Sequence, residues 1–109
     1  KYDQAFQDLP ITRPLVRGGC SHVYHLYVVT VDKRDELVQF LEKKNIKAGI
    51  HYSTPIHKMP TYADCLPADV DFSQTDFLAD RVLSLPMYPE ITSDEQDQVI
   101  LAIKKFYFL

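Results

Sequence analysis

Cysteine and clustered positive charge are both scarce in this 109-residue sequence. Cys20 and Cys65 are too few for a disulfide framework, so we expect reduced thiols in a cytoplasmic protein. The 12 basic residues are outnumbered by 15 acidic ones, the net charge is −3, and no group of lysines and arginines exceeds a pair. Binding through nucleic-acid phosphates requires a cationic face, so we expect no nucleic-acid partner.

Long apolar runs are also missing. Unbroken apolar runs, such as residues 26–29, fall far short of the roughly 20 residues that span a bilayer, so we expect no membrane association. The first residues contain neither a methionine nor the apolar stretch of a signal peptide. We therefore expect the chain to be a fragment of a longer protein.

The common motifs of nucleotide-binding loops and nucleophile elbows are absent: Gly-x-Gly-x-x-Gly, Gly-x-x-x-x-Gly-Lys and Gly-x-Ser-x-Gly do not occur. Cys20 and His22 do not have a specific zinc-ligand spacing. His22 and His25 would face opposite sides of a strand and could not share one metal ion. The sequence therefore predicts no metal site.

The residues that are present indicate one globular domain. Hydrophobic residues make up 46% and aromatic residues 12% of a length that suits a single core. Apolar periodicity and capping signals predict, in order, a helix end before Pro10, a strand over 22–31, a helix after Asp32, a strand over 46–52, a helix from Ser73, a short strand over 83–86 and a helix after Thr92. Thr92 and Glu95 have the spacing of a capping box, and Asn45 is a residue that can end a helix in the left-handed conformation. This order predicts a two-layer α+β domain in which helices cover a short, mostly antiparallel sheet.

The richest group of polar side chains follows the second predicted strand. Residues 51–57 (HYSTPIH) contain two imidazoles, a phenol and two hydroxyls where a strand ends, a usual position for binding groups. Gly49 removes a side chain from the strand face that carries His51 and so permits close approach. A polar loop whose histidines are satisfied by backbone groups remains an alternative interpretation.

Five segments carry a resemblance to a known family. They are residues 2–6 (YDQAF) with 9–10, residues 24–29 (YHLYVV), residues 34–37 with 46–52 (IKAGIHY), residues 55–57 (PIH), and residues 83–89 (LSLPMYP) with 91–92. In this order and spacing they resemble the C-terminal small domain of the DegT/StrS family, pyridoxal-phosphate-dependent nucleotide-sugar aminotransferases of fold type I. Ser53 departs from the family pattern, which often has proline there.

The resemblance implies that residues 1–109 form a C-terminal small domain, with residues 1–10 as the end of an interdomain helix. The pyridoxal phosphate and its Schiff-base lysine would belong to a large domain absent from this chain, so the fragment alone would be inactive. The parent would transfer an amino group, typically from glutamate, to a nucleotide-linked keto-sugar in polysaccharide or amino-sugar biosynthesis. It would act as a homodimer.

By the same resemblance, His51, Tyr52 and His57, with His25 as a further candidate, would bind substrate. Their imidazole and phenol groups can hydrogen-bond sugar hydroxyls or diphosphate oxygens. No catalytic or cofactor-binding residue is expected in this chain. The alternatives are a dehydratase relative that uses the same fold and cofactor, a free-standing ligand-binding or regulatory α+β module, and a metal-binding module built on His51 and His57.

Overall fold

The helices and strands alternate irregularly along the chain. The computed structural model describes residues 1–67 and 69–108. Its elements are α1 (Tyr2–Ala5), β1 (Tyr27–Thr30), α2 (Arg34–Glu42), α3 (Ser73–Ala79), β2 (Val82–Leu85) and α4 (Ser93–Tyr107), with 3₁₀ turns at Ile56–Lys58 and Pro60–Cys65. Within those residues, no helix combines the length and apolar character needed to cross a membrane.

The sheet consists of β1 and β2, which pair in antiparallel register along all four residues. Each outer edge is extended by one isolated bridge. Thr12 pairs with Thr30 beside β1, and Gly49 pairs with Ser84 beside β2. The layer therefore contains four antiparallel chain segments, of which two are regular strands.

Two predicted strands are shorter than the sequence patterns indicate. The strand predicted over 22–31 is regular only from Tyr27, because Tyr24 takes a left-handed backbone conformation (φ 49°) that interrupts the extended run. The prediction of a strand over 46–52 is wrong, because only Gly49 of this segment pairs with β2. In an antiparallel ladder the next hydrogen-bonded pair on one side would be Lys47 with Pro86, and proline has no N–H to donate.

The core lies between this sheet and the helices α1, α2 and α4. Its largest fully buried side chains are Tyr2, Phe6, Val29, Val31, Leu37, Leu41, Leu83 and Ile103. Helix α2 packs against α4, where the rings of Phe40 and Phe106 lie 5.5 Å apart. The arrangement is the α+β architecture that the sequence predicts, with helices covering a short antiparallel sheet.

The predictions for the start of α4 and for the end of α2 are confirmed. The Thr92 hydroxyl accepts a hydrogen bond from the Glu95 backbone N–H, and the Glu95 carboxylate accepts one from the Thr92 backbone N–H, forming the predicted capping box at the start of α4. Asn45 follows α2 in the left-handed conformation (φ 59°) expected at a helix end.

Candidate functional site

His51 and Tyr52 border an open groove of about 360 Å³ at the edge of the sheet. The groove is lined by the segment after Gly49, by α3 and by the start of β2; its residues are His51, Tyr52, Thr54, Pro55, Ile56, Thr75, Leu78, Ala79 and Val82. Its walls are mostly apolar, and its polar groups are an imidazole, a phenol and two hydroxyls. Such a groove can hold a ring with several hydroxyl groups through packing and neutral hydrogen bonds.

The imidazole of His51 is held by groups from two chain segments. Its Nδ1 lies 2.9 Å from the Ser84 hydroxyl oxygen in β2. Its ring lies directly over Gly49, where an added Cβ would come within 2.6 Å of the ring carbon Cε1. Tyr52 meets the His51 ring edge-on at 5.6 Å and is 77% exposed. The ring of His51 is thus fixed, and the neighbouring phenol is open to solvent.

His57 is held differently, against α3. Its Nε2 lies 2.8 Å from Asp76 Oδ1, and its ring stacks on Phe72 at 4.3 Å. The Lys58 ammonium also contacts Asp76 Oδ1 at 2.8 Å. The hydrogen bond from Lys58, followed by that from His57, holds the pKa of the Asp76 carboxyl below its usual range. His57 therefore ties the loop to α3, and it is not among the residues that line the groove.

His25 lies before β1 rather than on it, in a bend, and is exposed. The prediction that His22 and His25 lie on the first strand is therefore wrong. His25 does not line the groove beside His51. The structure brings two of the four candidate residues to one groove, and the other two face elsewhere.

Sequence reasoning missed two residues that act on the candidate histidines. Ser84 is 4% exposed, and its signal is a lone hydroxyl between two buried leucines, Leu83 and Leu85, of a strand. Asp76 has no comparable signal, because it is one of several acidic residues on helix surfaces and its contact with His57 joins residues 19 positions apart.

The groove beside His51 does not offer the groups that hold pyridoxal phosphate. All lysines are exposed except Lys104, which is half-buried, and the groove beside His51 has neither a lysine nor a carboxylate in its lining. A Schiff-base lysine and an acidic partner for the ring nitrogen are what this cofactor requires. No cluster of three histidine, cysteine, aspartate or glutamate residues suited to a metal ion occurs in residues 1–67 and 69–108.

Comparison with known sequences gives related proteins that are much longer than this chain. A dTDP-3-amino-3,4,6-trideoxy-alpha-D-glucose transaminase of Micromonospora megalomicea subsp. nigra is 38% identical over 93 residues, covering 84% of this chain and 25% of that protein. A "Pleiotropic regulatory protein" of Geobacillus stearothermophilus is 34% identical over 105 residues, which cover 96% of this chain and 28% of that protein. The chain spans about a quarter of the length of these relatives.

Solved structures give the same result. The fold matches DesV of S. venezuelae, solved in complex with a ketimine intermediate, with a TM-score of 0.90 and 31% identity over 97% of this chain and 29% of that chain. An aminotransferase from Brucella abortus matches with a TM-score of 0.90 and 28% identity over 97% of this chain and 28% of its own. The profile of the DegT/DnrJ/EryC1/StrS aminotransferase family matches residues 1–104. The chain therefore belongs to the DegT/DnrJ/EryC1/StrS aminotransferase family.

Proposed function

We propose that this chain is part of a pyridoxal-phosphate-dependent aminotransferase that transfers an amino group from an amino acid, typically glutamate, to a nucleotide-linked keto-sugar. The observation that carries the proposal is the match of nearly the whole chain to DesV, with a TM-score of 0.90. Several relatives are named as transaminases of dTDP-linked amino sugars, which supports the same substrate class.

Residues 1–109 would be the C-terminal small domain of this enzyme, and residues 1–10 the end of its interdomain helix. The rest of the polypeptide would form the large domain, bind pyridoxal phosphate and carry the lysine that moves protons. The chain spans only about a quarter of the length of its relatives, which supports this division. The enzyme would act in the cytoplasm as a homodimer, and the chain alone would have no activity.

Within this enzyme the small domain would close over the substrate and supply hydrogen-bonding groups. His51 and Tyr52 would contact the sugar or the diphosphate, because they border the groove and their imidazole and phenol groups can form hydrogen bonds with oxygen atoms. His57 would act indirectly by holding the loop against Asp76. His25 remains a candidate for a contact outside the groove.

The test uses the full-length polypeptide that contains this chain. His51→Ala is expected to raise KM for the nucleotide-linked keto-sugar about tenfold, equivalent to about 1.4 kcal/mol, while the visible absorbance of the bound cofactor stays unchanged. His22→Ala, which replaces an exposed histidine outside the groove, serves as the matched control and should leave KM unchanged. Loss of the cofactor absorbance in His51→Ala would contradict the substrate-side role, and failure of the wild type to aminate any such sugar would contradict the proposed function.

A regulatory role is the second candidate, since one relative is named as a "Pleiotropic regulatory protein" and another as a "sensory transduction protein". The same wild-type assay separates the two. Formation of an amino sugar supports the aminotransferase, a deoxygenated sugar without new nitrogen supports the dehydratase alternative, and sugar binding without turnover supports a sensor.

A further inference from the structure

A buried hydroxyl lies behind the groove. Ser84 lies in β2 between two buried leucines, Leu83 and Leu85. It is only 4% exposed although its side chain is polar. In the part of the chain that the structure describes, the only recorded partner of its hydroxyl is Nδ1 of His51, at 2.9 Å. A buried polar group that lacks a partner costs about 1–3 kcal/mol, so this single contact decides how the hydroxyl is satisfied.

The direction of the hydrogen bond follows from this. If the Ser84 oxygen accepted a hydrogen bond from Nδ1–H, its own hydroxyl hydrogen would be buried without an acceptor. If Ser84 donates to Nδ1, the hydrogen is satisfied and only lone pairs remain free, which is the less costly arrangement. Neutral His51 then carries its own hydrogen on Nε2, on the side of the ring turned away from Ser84.

Gly49 makes this contact possible. Its backbone N–H donates to the Ser84 carbonyl oxygen at 2.9 Å, and its carbonyl accepts from the Ser84 N–H at 2.7 Å. The double bridge places His51, two residues further on, within reach of the Ser84 side chain. The ring then folds back over the space that a Cβ of residue 49 would occupy, at 2.6 Å from Cε1 and 3.3 Å from Nδ1.

We propose that Ser84 and Gly49 are positioning residues that hold His51 as a neutral hydrogen-bond donor, with its Nε2–H available to an oxygen of the substrate. The oxygen it suits is an acceptor, such as a diphosphate oxygen of the nucleotide-linked sugar; this assignment of the substrate group rests on the proposed function. A group that can only donate, such as an ammonium, does not fit a donor at this position.

The first test reads the hydrogen position directly. Long-range ¹H–¹⁵N spectra of the labelled 109-residue chain are recorded at about pH 8.5, where an unperturbed imidazole is neutral. We expect His51 to show a fully protonated Nε2 and an unprotonated, hydrogen-bonded Nδ1. Exposed His25 serves as the reference within the same spectrum.

In the Ser84→Ala variant, the ring-nitrogen signals of His51 are expected to resemble those of His25. The reason is that the variant lacks the hydroxyl that favours one tautomer of the His51 ring. Ser21→Ala, which removes an exposed loop hydroxyl, should leave the pattern unchanged. A protonated Nδ1 in the wild type, or an unchanged pattern in Ser84→Ala, would overturn the proposal.

The second test is made in the full-length polypeptide and does not depend on how the chain behaves alone. Ser84→Ala is expected to raise KM for the nucleotide-linked sugar about three- to tenfold with kcat within about twofold, because it loosens a binding residue without touching the reacting atoms. Ser84→Thr, which keeps the hydroxyl, should recover most of the loss. A fall in kcat at unchanged KM, or an equal defect in both variants, would contradict the positioning role. If the wild type has no aminotransferase activity, the proposed function fails while the spectra still decide how His51 is held.

Discussion

Nε2 of His57 and Oδ1 of Asp76 lie 2.8 Å apart, which joins the loop after Pro55 to α3. Lys58 contacts the same carboxylate oxygen from the neighbouring position. One acidic side chain therefore holds two consecutive basic residues of the loop that borders the groove. The position of this part of the loop depends on a charge that can be removed by acid.

Removing that charge should loosen the loop in a pH-dependent way. The pKa of Asp76 is lowered by Lys58 and then by His57, so its pairing stabilises the fold above the carboxyl's ordinary pKa and is lost as the pH falls through the lowered value. Asp76→Asn should reduce the urea midpoint at pH 7, and the reduction should be smaller at pH 3. Asp80→Asn, an exposed carboxylate at the end of the same helix, is the control. A deficit of equal size at both pH values would refute the ion pair as the cause.

Two residues of α4 test the position of the core. Ile103 is fully buried and Leu101, two positions earlier, is 66% exposed. Ile103→Ala should lower the free energy of unfolding by about 2–5 kcal/mol through lost burial and the cavity that remains. Leu101→Ala should stay within about 0.5 kcal/mol of the wild type. Urea denaturation measures both, and similar losses would mean that α4 presents a different face to the sheet.

The buried hydroxyl of Tyr2 should make the stability of the fold fall at alkaline pH. Burial, and then the nearby Tyr88, raise the pKa of Tyr2 to about 12, and its hydroxyl donates to the Pro86 carbonyl oxygen at 3.0 Å. The unfolded chain loses this proton near pH 10, so the stabilisation is complete below that pH and is lost as the pH rises towards 12. Thermal unfolding of Tyr2→Phe should depend less steeply on pH over this window. Tyr52→Phe, which changes an exposed phenol, should follow the wild type.

The contact between Gly49 and His51 can be tested with two glycines. A Cβ at Gly49 would meet the His51 ring at 2.6 Å, whereas one at Gly18 would meet nothing within 4 Å. Gly49→Ala should displace the ring from Ser84 and raise KM for the sugar substrate about tenfold in the full-length polypeptide. Gly18→Ala should behave as the wild type in the same assay. An unaltered KM in Gly49→Ala would show that the ring position does not matter for binding.

The sequence predicts best those features that depend on neighbouring residues. The capping box of Thr92 and Glu95 and the left-handed Asn45 were predicted correctly because the relevant groups lie within a few residues of each other. The short strand after α3 was also predicted, because Leu83 and Leu85 follow the helix and Pro86 ends the segment. These features are fixed by local chemistry.

Features that depend on a distant partner could not be read in the same way. Residues 46–52 have the alternation of a strand, but whether a ladder forms depends on Pro86 across the sheet edge. The contacts of His51 with Ser84 and of His57 with Asp76 join residues 33 and 19 positions apart. The sequence therefore indicated the segment that borders the groove, but it could not show that its two histidines face different surroundings.

The pairing of β1 with β2 has a consequence for biosynthesis. The two strands are more than 50 residues apart in the chain, and their partners at the edges, Thr12 and Gly49, are also distant from them. During translation β1 emerges long before β2, so the edge of β1 that pairs with β2 stays unpaired until most of the domain has left the ribosome. A polypeptide that stalls before Val82 would expose this strand, which makes it a target for chaperones that bind nascent chains.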